Sequence, residues 1–343
     1  MPGPEAAAPL AAIFGCAGPE LSADEAAFFR DAEPLGLILF ARNCETPEQI
    51  RRLTGALRAA VGRAEAPVLI DQEGGRVQRL KPPNWREAPA AARFGDLARR
   101  DPAAAVEAAG LNGRLLALEL APLGIDVDCV PCLDVRDPGG HDVIGDRAFS
   151  DDPDSVAQLG RALAAGLLRG GVLPVIKHLP GHGRARVDSH HELPLVEASR
   201  QELSRLDFAP FAALADLPLG MTGHLVYTAV DGERPSTLSP VVIEQVIRRQ
   251  IGFDGLLMTD DLSMRALGGD YEQRTRAALD AGCDLVLHCN GDWREMQAVA
   301  EAAGCLSRAG LERWARVATW RQAPDEVSAA ALTERLDGLL AAP

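Results

Sequence analysis

The chain has 343 residues, 47% of them hydrophobic and 24% charged, with a formal net charge of −14. Such a composition suits a soluble globular protein with a sizeable core, whereas the acidic balance argues against a nucleic-acid backbone or an anionic membrane surface as main partner. No stretch reaches the roughly 18 apolar residues of a membrane span, and Met1 to Pro9 lacks the basic-then-apolar order of a signal peptide. A cytoplasmic protein is therefore expected, its seven cysteines free thiols.

Apolar runs of strand length recur along the chain at Leu10 to Phe14, Leu35 to Phe40, Pro67 to Ile70, Ile125 to Val135, Val172 to Ile176, Leu217 to Met221, Gly255 to Met258 and Asp284 to Leu287. Helix-start signals fall between them. Ser22 with Glu25, Thr46 with Gln49 and Ser199 with Glu202 have capping-box spacing. Asp101-Pro102, Asp152-Pro153 and Ser239-Pro240 each place a cap residue before a proline suited to the first helical turn. Eight strands alternating with helices predict a parallel sheet. The length suits a single-domain closed (β/α)8 barrel spanning residues 1–343, with a helical segment from about 308 to 343 packed outside. A doubly wound open sheet is the alternative, but no G-x-G-x-x-G follows an early strand.

A barrel keeps its active-site residues just after its strands. Asp71 follows the third run, Lys177 and His178 the fifth, His224 the sixth, Asp260 the seventh and His288 the eighth, while Arg147 lies in the loop after the fourth. Asp260 should face the barrel mouth, where a carboxylate serves as base, metal ligand or nucleophile. Asp261 beside it reads as a helix cap. Asp188, two residues before His190, can hydrogen-bond the imidazole and favour its protonated form, which suits general acid/base work, although alone the pair also fits a solvated loop. Asp71 can accept hydrogen bonds from two hydroxyls, with Arg79 bracing it, and Lys177 at a strand end suits a hydroxyl or an anion. Surface charge is the competing reading for Arg76 and Arg79. His178 and His182 have the i, i+4 spacing of zinc ligands, but Pro180 and Gly181 interrupt the helix that spacing requires, so neither a metal nor a cofactor is expected. Cys129-Val-Pro-Cys132 sits in an apparent strand, where side chains three apart face opposite ways.

Taken together, Lys177-His-Leu-Pro-Gly-His-Gly183, Asp188-Ser-His190, Ile70-Asp-Gln-Glu-Gly-Gly-Arg-Val-Gln-Arg79 and Gly252 to Met264 resemble glycoside hydrolase family 3, in particular its single-domain bacterial β-N-acetylglucosaminidase (NagZ-type) branch. The resemblance spans about residues 10 to 300. It implies a (β/α)8 barrel with Asp260 as nucleophile, His190 assisted by Asp188 as acid/base, and Asp71, Arg79, Arg147, Lys177 and His178 as sugar-binding residues. It further implies exo-acting, retaining release of terminal GlcNAc from anhydro-muropeptides during cell-wall recycling in the cytosol, by an enzyme expected to be monomeric. Leu179 departs from the family's usual phenylalanine, and the Asp137 to Val143 stretch looks longer than typical. A phosphorylase, a β-glucosidase specificity, a metal-dependent barrel hydrolase and a non-catalytic sugar-binding protein are the competing readings.

Overall fold

The computed structural model describes residues 8–341, so most of the Met1 to Pro9 reading lies outside the described residues. Eight parallel strands close into a barrel in chain order: β1 (Leu10–Gly15), β2 (Pro34–Leu39), β3 (Val68–Ile70), β4 (Val127–Asp128), β5 (Leu173–Leu179), β6 (Leu219–Thr222), β7 (Leu256–Asp261) and β8 (Leu285–His288), with β8 paired back onto β1. Both faces of these strands are covered, by the barrel interior and by the helical ring. They therefore read as unbroken apolar runs without alternation; all six residues of β2 are buried.

The helix signals operate locally, with two refinements. Ser22 begins α1 (Ala23–Ala32) and Ser199 begins α6 (Arg200–Arg205) with reciprocal boxes. Thr46 caps α2 (Pro47–Val61) by accepting from Gln49 N, but the Gln49 side chain turns instead to the Glu45 backbone, so that box is one-sided. Asp101 and Asp152 cap the long helices α4 (Pro102–Leu120) and α5 (Pro153–Arg169). Ser239 caps as well, accepting from Val242 N, yet the helix that follows, Val242–Ile251, is a π-helix. Ile50, Leu53, Leu57 and Val61 of α2 form a buried stripe at helical spacing, which holds the helix on the barrel. The shorter helices α3 (Ala91–Ala98), α7 (Ala209–Ala213) and α8 (Tyr271–Ala281) complete the set up to β8, after which come α9 (Trp293–Ala303), α10 (Arg308–Ala318) and α11 (Ala329–Ala341), the last packing on α4 with its Leu336 and Leu339 buried.

The largest departure from the sequence reading is at the fourth strand. The apolar run from Ile125 to Val135 contributes only Val127–Asp128 as regular strand. Pro131 has no N–H for the ladder. The segment still follows β5 through scattered bonds, Val175 N to Val130 O (2.9 Å) and Leu133 N to Lys177 O (2.7 Å), and so runs extended along the upper rim. Conversely β5 and β7 are longer than the apolar runs that mark them. Lys177 and His178 come just before Leu179, the last residue of β5, and Asp260 and Asp261 close β7, so all four are held within strands of the barrel itself.

Candidate active site

The chain turns sharply after β3. Gly74 and Gly75 adopt positive φ (97° and 54°), a conformation in which a Cβ would be strained. The turn lets Asp71 and Glu73 face Lys177 at the end of β5. Lys177 Nζ donates to Asp71 Oδ1 at 2.7 Å and lies 2.6 Å from Glu73 Oε1. Arg147 makes a bidentate pair with Glu73, both bonds 2.8 Å, and Arg79 Nη2 reaches Asp71 Oδ2 at 3.1 Å. The backbone at Arg79 is in turn held by buried Gln72, whose Oε1 accepts from Arg79 N and Leu80 N. Burial would push the Asp71 and Glu73 carboxyls up, but the surrounding cations hold both below the usual carboxylate range. Burial would likewise lower Lys177, and its two carboxylates keep it above an ordinary lysine.

Asp134, buried on the rim segment after β4, organises the neighbouring wall. Its Oδ1 accepts from the backbone N–H of His178 (3.3 Å) and of His182 (2.6 Å). Its Oδ2 takes the His178 ring Nδ1 (2.7 Å) and the Cys132 thiol (3.1 Å). His178 is thereby fixed with Nε2 3.4 Å from Arg147 Nη2. The Lys177–His178 and Leu179–Pro180 peptides are both cis. The Cys132, Asp134 and His178 ligand atoms lie within 4.8 Å of one another and form a chemically competent set for zinc. Every one of them is, however, already committed to the Asp134 carboxylate, which takes four donors, and the arrangement is that of a hydrogen-bonded anchor. His178 and His182 do not converge on one point, since His182 directs Nε2 to Ser189.

These groups wall a cavity of about 230 Å3 at the C-terminal mouth of the barrel, lined by Asp71, Glu73, Arg79, Arg147, Lys177, His178, His190 and Asp260 among others. Asp260 is partly exposed to it, and its Oδ1 accepts from Asp261 N at 2.8 Å. Burial opposes ionisation of Asp260, but His178 and His224 outweigh it and hold the carboxyl below its ordinary range. His190 reaches the cavity from the loop after β5. Its Nδ1 and backbone N–H both engage Asp188 Oδ1, at 2.7 and 2.9 Å. Asp188 stands behind the imidazole and does not line the cavity. A larger cavity, about 540 Å3, opens on the far side of the 137–148 loop and contains neither Asp260 nor His190.

Several polar residues at strand ends do other work. His224 spans Thr237 Oγ1 (2.7 Å) and Asp261 O (3.1 Å), bracing the end of β7. His288 turns away from the mouth to Glu295 on α9. Arg76 ties down the 142–146 loop through Asp146 and the carbonyls of Val143 and Ile144. Asp261 caps no helix. Its Oδ1 accepts from Ser263 N within a turn and from Cys289 N just after β8. Glu73 and Asp134, both central here, escaped the sequence reading. A carboxylate inside the apolar run Cys129 to Val135 was the available signal, because a buried charge needs partners.

Residues 12–318 match the model of the glycosyl hydrolase family 3 N terminal domain. The chain is 42% identical over 280 residues to a beta-hexosaminidase of Bordetella avium, covering 80% of this chain and 79% of that one. It is 42% identical over 282 residues to a beta-hexosaminidase of Methylococcus capsulatus, covering 81% and 82%. Its structure superimposes with a TM-score of 0.86 on NagZ from Neisseria gonorrhoeae, solved in complex with N-trifluoroacetyl-D-glucosamine. That protein is 33% identical, and the match covers 97% of this chain and 99% of the other.

Proposed function

Because the chain belongs to glycoside hydrolase family 3 and is a hydrolase of the β-hexosaminidase kind, we propose that it is a retaining, exo-acting β-N-acetylglucosaminidase working through a covalent glycosyl-enzyme. In the first step Asp260 attacks the anomeric carbon. The bond to the leaving oxygen breaks as His190 passes that oxygen its proton. In the second step neutral His190 takes a proton from water, whose oxygen displaces Asp260 and releases the sugar with its original configuration. Asp188 stabilises the imidazolium and fixes its tautomer. Asp71, Arg79, Arg147, Lys177 and His178 bind the sugar hydroxyls. The substrates are muropeptide fragments with terminal β-linked GlcNAc, met in the cytosol by a monomeric enzyme.

One observation carries the reading. A cavity sized for a single sugar, floored by the barrel, has on its wall both an ionised carboxylate on β7 and an imidazole backed by its own carboxylate. A closed floor admits a chain end and excludes an internal unit. In support, the Neisseria protein was solved with a glucosamine derivative. A 5-fluoro β-GlcNAc reagent should leave a stable adduct on Asp260, located by peptide mass spectrometry; an adduct on another carboxylate would refute the assignment. Product analysis of aryl β-GlcNAc and aryl β-glucoside, with and without phosphate, should give free GlcNAc from the first alone. A sugar phosphate as product would instead mark a phosphorylase.

A further inference from the structure

The loop that carries Asp188 and His190 is exposed or half-exposed from Arg186 to Leu193, with a single exception. Ser189, flanked by those two residues, is 2% exposed. Its hydroxyl lies 3.0 Å from Nε2 of His182, which is equally buried and whose Nδ1 has no partner. His182 itself cannot shift freely, because its backbone N–H is anchored on Asp134 and its ring packs edge-to-face on His178, centroids 5.5 Å apart. The Ser189 carbonyl accepts from Ala266 N (3.3 Å), in the loop that follows β7. At its middle, then, an otherwise solvated loop is fastened to the wall beside the sugar-facing histidine and to the loop after Asp260. A serine used only as a connector would not need to be buried against a histidine.

We infer that the buried Ser189–His182 hydrogen bond holds the acid/base loop over the cavity, so that Ser189 and His182 are positioning residues for His190. The inference rests on the retaining mechanism proposed above. Neither side chain needs to touch the reacting atoms. Ser189 and His182 lie in the wall of the same cavity as His190, and the Ser189 hydroxyl is taken up by His182, so it fixes the backbone from which the imidazole projects. Burial brings His182 down to about 4, with adjacent His178 acting in the same direction, so the fastening is between neutral partners across the working pH range. A neutral hydrogen bond of ordinary net strength shifts a two-state equilibrium several-fold. The loop can therefore be held closed for chemistry and still released for product exit.

The test uses the full-length enzyme with Ser189→Ala, His182→Gln and the double variant. Nitrophenyl β-GlcNAc needs little acid assistance for its first step, so its glycosylation rate should be retained in Ser189→Ala. Its second step needs His190 as base and should slow, giving a pre-steady-state burst of nitrophenol as the covalent enzyme accumulates. An alkyl or disaccharide β-GlcNAc substrate, which needs the acid at once, should lose roughly three- to ten-fold in kcat/KM. The double variant should lose no more than the worse single one, because both remove the same bond. Equal losses on both substrates with no burst, or additive losses in the double variant, would overturn the proposal. Variants indistinguishable from a wild type that does label at Asp260 would overturn the fastening alone. A wild type that neither cleaves aryl β-GlcNAc nor labels would overturn both it and the mechanism on which it rests.

Discussion

Glu73 illustrates how much a single carboxylate can hold in place. It is 7% exposed in its side chain and bridges Arg147 (11%) and Lys177 (2%), two cations that would otherwise face each other across the cavity wall. Removing one member of a buried ionic network leaves the others uncompensated, at a cost of about 3–5 kcal/mol. Glu73→Gln keeps the shape and one acceptor but deletes the charge. It should lower the unfolding free energy by an amount near the lower end of that range, read from the fall in urea midpoint times the m-value. It should also raise KM for aryl β-GlcNAc, because Arg147 loses the partner that orients it. An unchanged midpoint would show that the two cations find other anions. Glu73 was legible only as part of the Asp71 to Arg79 motif. Its role depends on the turn at Gly74 and Gly75, which decides that both carboxylates point the same way, and that decision is made by backbone geometry across two glycines. Asp71, Lys177 and Asp260 were readable because polar side chains at the ends of apolar runs have few places to go. His224 and His288 obey the same positional rule but turn away to Thr237 and Glu295, and position along a strand does not report rotation at its end.

The loop after β5 is the element on which chemistry and conformation meet. Its base is pinned by Arg184, which donates Nε to both oxygens of Asp207 (2.8 and 3.1 Å) and approaches Asp137 at 3.3 Å. Its tip is tied through Ser189, and between them Asp188 and His190 pair within the loop itself. The Asp188 carboxyl is held below its ordinary range: burial opposes this, but the backbone and ring N–H groups of His190 prevail. If Asp188 serves to stabilise the imidazolium, Asp188→Ala should lower turnover most where the leaving group is poor. A loss of ~10²-fold or more is expected on a disaccharide, the usual scale of an acid/base contribution, with a much smaller loss on the first step with an activated aryl glycoside. Equal losses on both would assign Asp188 to folding of the loop. The Asp-x-His spacing made this pair visible in the sequence. The tie of the loop to the wall was not visible, since nothing in the string Asp188-Ser-His190 distinguishes a buried serine from a solvated one. The fourth strand shows a similar limit: hydrophobicity marks Ile125 to Val135 as buried, which it is, but burial alone does not say which buried residues keep a regular ladder past Pro131.

For the whole molecule, the alternation of strands and helices specifies a parallel sheet buried on both faces, which a doubly wound sheet would also provide; the pairing of β8 back onto β1 makes it a closed barrel. The site then adds a pH dependence of its own. Asp71, Glu73, Asp134 and Asp260 all have folded pKa values below their unfolded ones, near 4. Their contribution to stability is complete above about pH 4 and declines as pH falls towards the folded values. Lys177 is shifted the other way, upward, so its contribution is complete below an unfolded pKa of about 10 and is lost as pH rises through the folded value. The thermal midpoint should thus hold up towards pH 10 and begin to fall below about pH 6.5, where unfolded His182 takes up a proton that its buried form, held down to about 4, refuses. Asp207, pushed up to about 6 by burial, offsets part of that first decline, and the site carboxylates steepen it below about pH 4. Lys177→Met, which relieves the pull on Asp71 and Glu73, should make the acid drop shallower. Parallel curves for wild type and variant would place the acid sensitivity elsewhere.

The closing helix tests what attaches the end of the chain to the barrel. Arg335 on α11 makes a bidentate pair with Glu107 on α4, with bonds of 2.7 and 2.8 Å, but both side chains are about half exposed and the pair is screened by solvent. Such an exposed pair contributes little to stability. Leu336, the next residue, is 2% exposed and Leu339, one turn on, 9%, both set against the body of the protein. Truncating a buried leucine costs about 2–5 kcal/mol, because lost transfer energy and a residual cavity add. Leu336→Ala should therefore lower the urea midpoint by several times as much as Arg335→Ala. Neither should alter kcat/KM at temperatures where the protein is folded, since α11 lies on the outer ring and the cavity residues belong to β5, β6, β7, β8 and the loops at the barrel mouth. If Arg335→Ala proved the more damaging, the helix would be held by its ion pair. In that case its attachment should also weaken with added salt, which the leucine contact should resist.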